Sequence, residues 1–304
     1  MTASPNKNRP KANDGFILVS TLWILGLLSV LISISALYAT NSAAGLAPYH
    51  DRLNADALFS AAVELAAGRL HAESARSRTS LGHFAFRIGR ARIDVEHRSE
   101  RARIDLNAAS QELLTGLFVT LGEKPDDADG FAAGIVEWRK PTSRNSLSPT
   151  SANASLGEYQ SGRKFSHARE LSLVSGMPIQ LASRALPYVT VYSGEQQVNI
   201  LAAEPEVIAS LPGMTQDRLA AVLRQQKPPN VDGSLLLNLL GPARRYAALD
   251  PGKAFRILVR ISFDNGRTAN AEVAIVVYEG VSEPYSVMSW QDDHDSPRGL
   301  RRGS

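Results

Sequence analysis

No cysteine occurs among the 304 residues. Disulfides, thiolate metal sites and cysteine nucleophiles are therefore excluded, a pattern compatible with the periplasm but not diagnostic of it. Catalytic signatures are missing as well: there is no HExxH, no GxSxG and no GxxxxGK phosphate loop. The histidines, His50, His71, His83, His97, His167 and His294, are scattered. No enzymatic activity is expected. Strong net charge is also absent. The total is +3, and Lys7, Arg9 and Lys11 against Asp14 account for most of it. A nearly neutral remainder gives little support to nucleic-acid binding. With 44% hydrophobic and 21% charged residues, the chain is globular rather than disordered.

What the sequence does have is an apolar run from Phe16 to Tyr38, directly after the basic leader. As a helix it rises about 34 Å at ~1.5 Å per residue, enough to cross a hydrocarbon core of about 30 Å. The basic residues before it keep the leader cytoplasmic and put the rest of the chain outside. A secretory signal cut near Ser42-Ala43-Ala44 is the alternative, but the apolar part exceeds the usual h-region of about 7–15 residues. Within the run, Gly26, Ser29, Ser33, Ala36 and Thr40 recur at helical spacing. Small residues on one face let two membrane helices approach closely, so Gly26, Ser29, Ser33 and Ala36 are the candidate packing residues. Trp23 is expected to face lipid or a partner.

Beyond Pro48, which can bend a helix, Phe59, Val63, Ala66 and Leu70 mark an amphipathic helix over residues 51–75. Alternation then takes over at Phe84, Phe86 and Ile88. It resumes with shifted parity at Ala91, Ile93 and Val95 after Gly89-Arg90. A type II′ hairpin explains this shift, and so does a bulge at Gly89. A turn at Arg98-Ser99-Glu100 leads into a segment from Ala102 to Leu106. Near the C-terminus, strands from Phe255 to Phe263 and from Ala269 to Tyr278 flank Asp264-Asn265-Gly266-Arg267, a hairpin signal. Ser286 to Trp290 forms a further short strand, with Trp290 expected in the core.

The middle reads as helical and repeats itself. Asp105-Leu106-Asn107-Ala108-Ala109 overlays Asn199-Ile200-Leu201-Ala202-Ala203, and at the same offset Leu117 matches Leu211. Val174-Ser175-Gly176-Met177 also resembles Leu211-Pro212-Gly213-Met214. These are helix–turn–helix units whose glycines permit tight connections. Residues 140–155, rich in Ser, Thr, Asn and Pro, read as an exposed loop. The fold class is therefore α+β, with an N-terminal membrane helix, an antiparallel sheet, and a helical block interrupting that sheet.

Together these landmarks resemble the type II secretion system protein K family of minor pseudopilins. The Gly15-Phe16 junction, Ile104-Asp105-Leu106-Asn107-Ala108-Ala109, Phe165, Glu170-Leu171, the Val174 and Leu211 turns, Tyr188 to Tyr192 and Val198-Asn199-Ile200 carry the resemblance. It implies a pilin-like fold with an inserted SAM-like or helix-hairpin-helix-like domain. The expected organisation is a leader (1–15), a transmembrane helix (16–39), pilin-like helix and first strands (40–104), an inserted helical domain (105–193), a second helical unit (194–248), and C-terminal strands and tail (249–304).

The resemblance further implies cleavage by the prepilin peptidase between Gly15 and Phe16, with N-methylation of Phe16. The implied partners are the I and J minor pseudopilins, other pseudopilins and the inner-membrane assembly platform. The implied place is the inner membrane, single-pass, with a periplasmic body. Most pilin-like proteins carry Glu at the fifth mature position; here it is Ser20, as is a feature of protein K. An unpaired carboxylate in lipid is costly, and a subunit with no neighbour above needs none, so Ser20 points to the pseudopilus tip and to a role in starting assembly.

Relatives often bind calcium after the helix Trp. Here Trp138 is followed by Arg139-Lys140-Pro141, and of the later acidic piece Glu158 remains. Calcium takes six to eight oxygen ligands, often carboxylates, and the charges of Arg139 and Lys140 oppose such a site. The candidates are Glu158, Asp126, Asp127 and Asp129, but the three aspartates are better read as favouring a helix N-terminus near Ala128. Asp292, Asp293 and Asp295 around His294 read as a solvated tail. Trp138 is expected in the core. The rival functions are a membrane-tethered helix-hairpin-helix DNA receptor and a minor type IV pilin. Against the first, residues 195–227 set Arg218, Arg224 and Lys227 against Glu195, Glu204, Glu206 and Asp217, a poor balance for phosphate contacts.

Overall fold

The computed structural model describes residues 14–74, 78–140, 163–226, 233–280 and 283–293, and within the first helix it describes side chains at 18–36 and from 54 onward. The loop expected at 140–155 and the candidate Glu158 therefore lie almost wholly or wholly outside the described residues. The chain divides into two compact units, Met1–Ala57 and Leu58–Ser304. Helix α1 (Asp14–Ala72) begins in the first and ends in the second, and its assignment is unbroken across Pro48.

The second unit is organised by alternation. Strands β1 (Leu81–Ile88) and β2 (Ala91–Ser99) form a hairpin, with Ile88 opposite Ala91. Gly89 takes a φ of 56° while Arg90 stays negative, which selects the type II′ turn over a bulge. On β2, Ala91, Ile93, Val95, His97 and Ser99 point inward and are buried. The inward face meets the end of α1, where Phe59, Val63, Ala66 and Leu70 are all buried as their spacing predicts. Contacts along the rim fix α1 on the sheet. Arg69 lies 3.9 Å over the Phe84 ring, and His71 Nδ1 lies 3.0 Å from Tyr278 O. Arg78, buried, donates to Leu70 O at 2.7 Å and Glu73 O at 3.3 Å. It thereby satisfies carbonyls that the last turn leaves open and opposes the helix dipole.

The sheet is completed from the far end of the chain. β7 (Ala254–Phe263), β8 (Thr268–Val277) and β9 (Tyr285–Asp293) add in the order β1-β2-β7-β8-β9, every pairing antiparallel. β2 pairs β7 from Ala91 opposite Phe263 to Ser99 opposite Phe255, so the helical block leaves and re-enters between two central neighbours. The 264–267 loop turns as expected, with Gly266 at a φ of 83°.

Strand β9 departs from expectation. It reaches Asp293, so Asp292 and Asp293 belong to a strand paired with Ala271 and Asn270 rather than to a tail; His294 and Asp295 lie outside the described residues. Trp290 is 38% exposed rather than in the core. It sits opposite Val273 on the inward face, but on an edge strand that has a neighbour on one side only.

In the block, β3 (Ile104–Asp105) pairs in parallel with β4 (Val189–Thr190), and β5 (Val198–Asn199) with β6 (Ala247–Ala248). The Ala102–Leu106 and Tyr188–Tyr192 segments are thus strand over only two residues each, because 3-10 turns at Glu100–Ala102 and Leu186–Tyr188 consume their starts. The helices are α2 (Gln111–Thr120), α3 (Pro125–Trp138), α4 (Ile179–Ala185), α5 (Pro205–Ala209), α6 (Gln216–Gln225) and α7 (Gly233–Leu239). α3 starts earlier than Ala128 because Pro125, with its missing N–H and fixed φ, suits the first helical position. One buried cluster runs from Ile104 to Ala247 through both repeat units. Trp138 lies in it, stacked on Phe165 at 5.4 Å between centroids.

The repeat is structural. Asp105 Oδ1 accepts the Asn107 N–H, and Asn199 Oδ1 accepts the Leu201 N–H, so each residue opens its unit with the same Asx turn. Their remaining atoms explain why one is an acid and the other an amide. Asp105 Oδ2 meets donors, the Ser193 hydroxyl at 2.9 Å and the Gly194 N–H at 2.7 Å. Asn199 Nδ2 meets acceptors, Ser80 Oγ at 2.8 Å, Leu249 O at 3.1 Å and Asp250 O at 2.8 Å.

The helix ends repeat too. Arg139, capping α3, donates to the carbonyls of Leu106 and Ala109. Gln226, capping α6, donates to those of Ile200 and Ala203, the equivalent positions. The units then meet through equivalent residues. A Cβ on Gly116 would lie 2.0 Å from Ser210 O, and 210 is the repeat partner of 116.

Candidate functional site: membrane segment and sheet–block junction

In the first unit, Leu18–Ala36 has a mean hydropathy of 2.2 and none of it is buried within the chain. Such a surface in water is unfavourable at roughly 25 cal/mol per Å²; in a bilayer it is the required one. Trp23 is 70% exposed. Gly26, Ser29, Ser33 and Ala36 fall within a sector of about 80° on an ideal helix, and all four are exposed. A side chain at Gly26 would meet nothing within 4 Å. Ser33 Oγ donates to Ser29 O at 2.9 Å, and Thr21 Oγ1 to Leu18 O at 2.9 Å. These hydroxyls are satisfied inside the helix, as an apolar medium demands. Ser20 lies on the opposite side from this stripe by the same geometry and is half-buried. The backbone at Gly15 and Phe16 is helical, and their side chains are outside the described set.

Of the carboxylates named for calcium, Glu158 lies outside the described residues, and Asp126, Asp127 and Asp129 form no metal-holding group among the described residues. Asp126 and Asp127 occupy the first turn of α3, where their charge favours the helix N-terminus. Asp129 Oδ1 accepts from Gln111 Nε2 at 2.9 Å and Thr115 Oγ1 at 3.1 Å, binding α3 to α2. Among the described residues, no three His, Asp or Glu side chains are arranged to hold a metal. Arg139, read from sequence as a charge opposing calcium, is the clasp of the first unit. Burial lowers its pKa from the ordinary value, while Asp105 acts in the other direction.

A second constellation, absent from the sequence reading, pins the block to the sheet. Where β2 ends, the Ser99 hydroxyl donates to Pro251 O, and Arg101 pairs with Asp250, in the segment that leads back to β7, and donates to Gln197 Oε1 at 3.2 Å. Exit and return are thus tied together. Next to them Glu100 is fully buried. Its carboxylate accepts Arg256 Nε at 2.5 Å and the Thr190 hydroxyl, and Arg256 also pairs with Glu272. Burial works against the Arg256 charge, but Glu100 and Glu272 outweigh it and hold the pKa above the ordinary value. In sequence Arg256 and Glu272 occupy the outward positions of strands that alternate apolar residues inward, where a charge is ordinary. What could not be read was their convergence on Glu100.

Residues 91–194, from β2 to the end of the first repeat unit, match the family model described as Type II secretion system (T2SS), protein K. Among solved structures, the chain is similar to one in the crystal structure of the GspK-GspI-GspJ complex from the enterotoxigenic Escherichia coli Type 2 Secretion System. The identity is 17% with a TM-score of 0.56, over 80% of this chain and 96% of that one, a likeness of fold. No curated protein matches the chain.

Proposed function

We infer that this chain is a protein K of the type II secretion system, a minor pseudopilin held in the inner membrane by α1, with its body in the periplasm. In this role it occupies the pseudopilus tip with the I and J minor pseudopilins and helps initiate the fibre that drives protein export across the outer membrane. The observation that carries the reading is the topology. An apolar N-terminal helix precedes an antiparallel sheet, and a helical block whose first unit, with β2, matches the protein K family model is spliced between its neighbouring strands β2 and β7. The similar solved chain comes from a complex of K, I and J, which supports those partners here.

In this reading the prepilin peptidase cuts between Gly15 and Phe16, and Phe16 becomes the methylated N-terminus. Ser20 then stands at the fifth mature position. The usual Glu there is useful to a subunit that meets the terminal amine of a neighbour above, and costly in lipid for one that does not. Ser20→Glu, expressed beside wild type, tests this. The variant is expected to start fewer pseudopili and to lose its enrichment at the tip. Equal initiation and equal tip labelling by both forms would remove Ser20 from the account.

A further inference from the structure

We propose that the cleft between the 167–169 segment with α4 on one side and β7, β8 and β9 on the other binds an acidic side chain of a partner subunit, with Arg103 as the principal ligand. The proposal rests on the reading of the chain as an assembly subunit, which supplies a partner protein.

The cavity has a volume of about 500 Å³ and is lined by Arg103, His167, Arg169, Tyr192, Arg256 and Gln291 among others. Gln291 Nε2 and His167 Nε2, both in the lining, approach to 3.4 Å and link β9 to the 167–169 segment. The lining is rich in donors. Glu272 is its acidic member, and Arg256 already holds that carboxylate. Arg256 also engages Glu100, so its charge is already shared between two carboxylates. Arg103 is in the opposite situation. Half-buried at the cleft wall, its guanidinium donates no hydrogen bond to any described residue. Burial pushes its pKa below the ordinary value, with Arg256 adding repulsion and Glu100, Glu272 and Glu204 favouring the charge.

A half-buried guanidinium with no protein partner among the described residues keeps its hydrogen-bonding capacity for an incoming acceptor. Its five donors form a planar fork matched to a carboxylate. Arg169, exposed at the rim, adds a second positive charge. The volume suits a side chain or two from a docked segment better than a small free anion.

The test uses the full chain in detergent micelles with fluorescein-labelled hexaglutamate, amidated at its C-terminus, followed by anisotropy. Hexaserine with the same label is the control for the peptide backbone, and hexaalanine with a free carboxylate is the control for a chain terminus. Hexaglutamate is expected to bind best. Arg103→Gln is expected to weaken binding about tenfold through loss of the paired hydrogen bonds, and Arg103→Lys less, because it keeps the charge without the fork. Arg169→Glu reverses an exposed rim charge without touching the core and is expected to weaken binding as well, so the test survives if Arg103→Gln fails to fold. Equal binding by Arg169→Glu and wild type, or equal binding of hexaglutamate and hexaserine, overturns the proposal. Preferred binding of hexaalanine would replace the side chain by a terminal carboxylate and also overturns it. None of these outcomes bears on N-terminal processing or membrane anchoring, so failure of the site and failure of the assembly reading are distinguishable.

Discussion

Asn199→Asp exchanges one oxygen-for-nitrogen pair and should be among the most damaging isosteric changes in the chain. Nδ2 of Asn199 supplies hydrogen bonds to Ser80 Oγ, Leu249 O and Asp250 O, and the residue is fully buried. A carboxylate there faces the same three oxygens. The Ser80 hydroxyl can turn to donate; the two carbonyls cannot. The change loses two donated bonds worth about 1 kcal/mol each, leaves two carbonyls without those donors, and buries an uncompensated charge, for a total of about 3–5 kcal/mol. The burial and the carbonyls raise the folded-state pKa of the new acid above its unfolded value of about 3.9. The charge part of the penalty is then absent below that unfolded value and grows as pH rises above it, at up to about 1.4 kcal/mol per pH unit, until the folded-state pKa is passed. The assay is urea unfolding of the full chain in detergent, followed by tryptophan fluorescence and compared with wild type at pH 7 and pH 4. A large difference at pH 7 that shrinks markedly at pH 4 is expected. A difference below about 1 kcal/mol at pH 7, or one independent of pH, would refute the assignment of donors and acceptors. Asp105→Asn, whose partners are the Ser193 hydroxyl and the Asn107 and Gly194 N–H groups, should lower the urea midpoint at pH 7.

The other predictions concern packing and burial. Glu100→Ala leaves the half-buried Arg256 beside one fewer carboxylate and should cost about 3 kcal/mol, read as a lowered urea midpoint. Gly116→Ala drives a methyl into the Ser210 carbonyl at 2.0 Å and should cost about 2–3 kcal/mol; an unchanged midpoint would show that the two repeats do not pack through these positions. His97 is buried, its Nδ1 lacks a partner, and a Cβ on Gly82 would strike its ring. Burial, against the smaller opposing effects of Glu73 and Glu96, lowers its pKa. Its neutral form is therefore stable above the unfolded value of about 6.5, and stability should be lost as pH falls from there. His97→Gln should flatten the pH profile of stability below that value.

The parts of the fold written in local periodicity could be read in advance. Phe59, Val63, Ala66 and Leu70 gave the buried face of α1, and Gly89 and Gly266 gave two hairpins. The Asp105 and Asn199 openings gave the repeat. The pairing of β2 with β7 was only an expectation of topology, because nothing local in either strand names a partner so far along the chain. Trp290 was misplaced because alternation tells which face a residue takes, not whether its strand has a second neighbour. The Glu100–Arg256–Glu272 junction and Arg103, without a side-chain partner among the described residues, were invisible for a related reason: charged residues spread over the turn after β2 and over β7 and β8 become a cluster only once the sheet is assembled. Arg139 was given a charge and no task, since its acceptors are carbonyls that any sequence would supply.

The central claim is that a basic leader is removed and the apolar helix behind it stays on the mature chain to hold this subunit among others in the bilayer. Mass spectrometry of the N-terminal peptide from the membrane-extracted protein tests it directly. The account predicts a mature chain beginning at N-methylated Phe16. A native chain that retains Met1, or one trimmed beyond Tyr38, would contradict it.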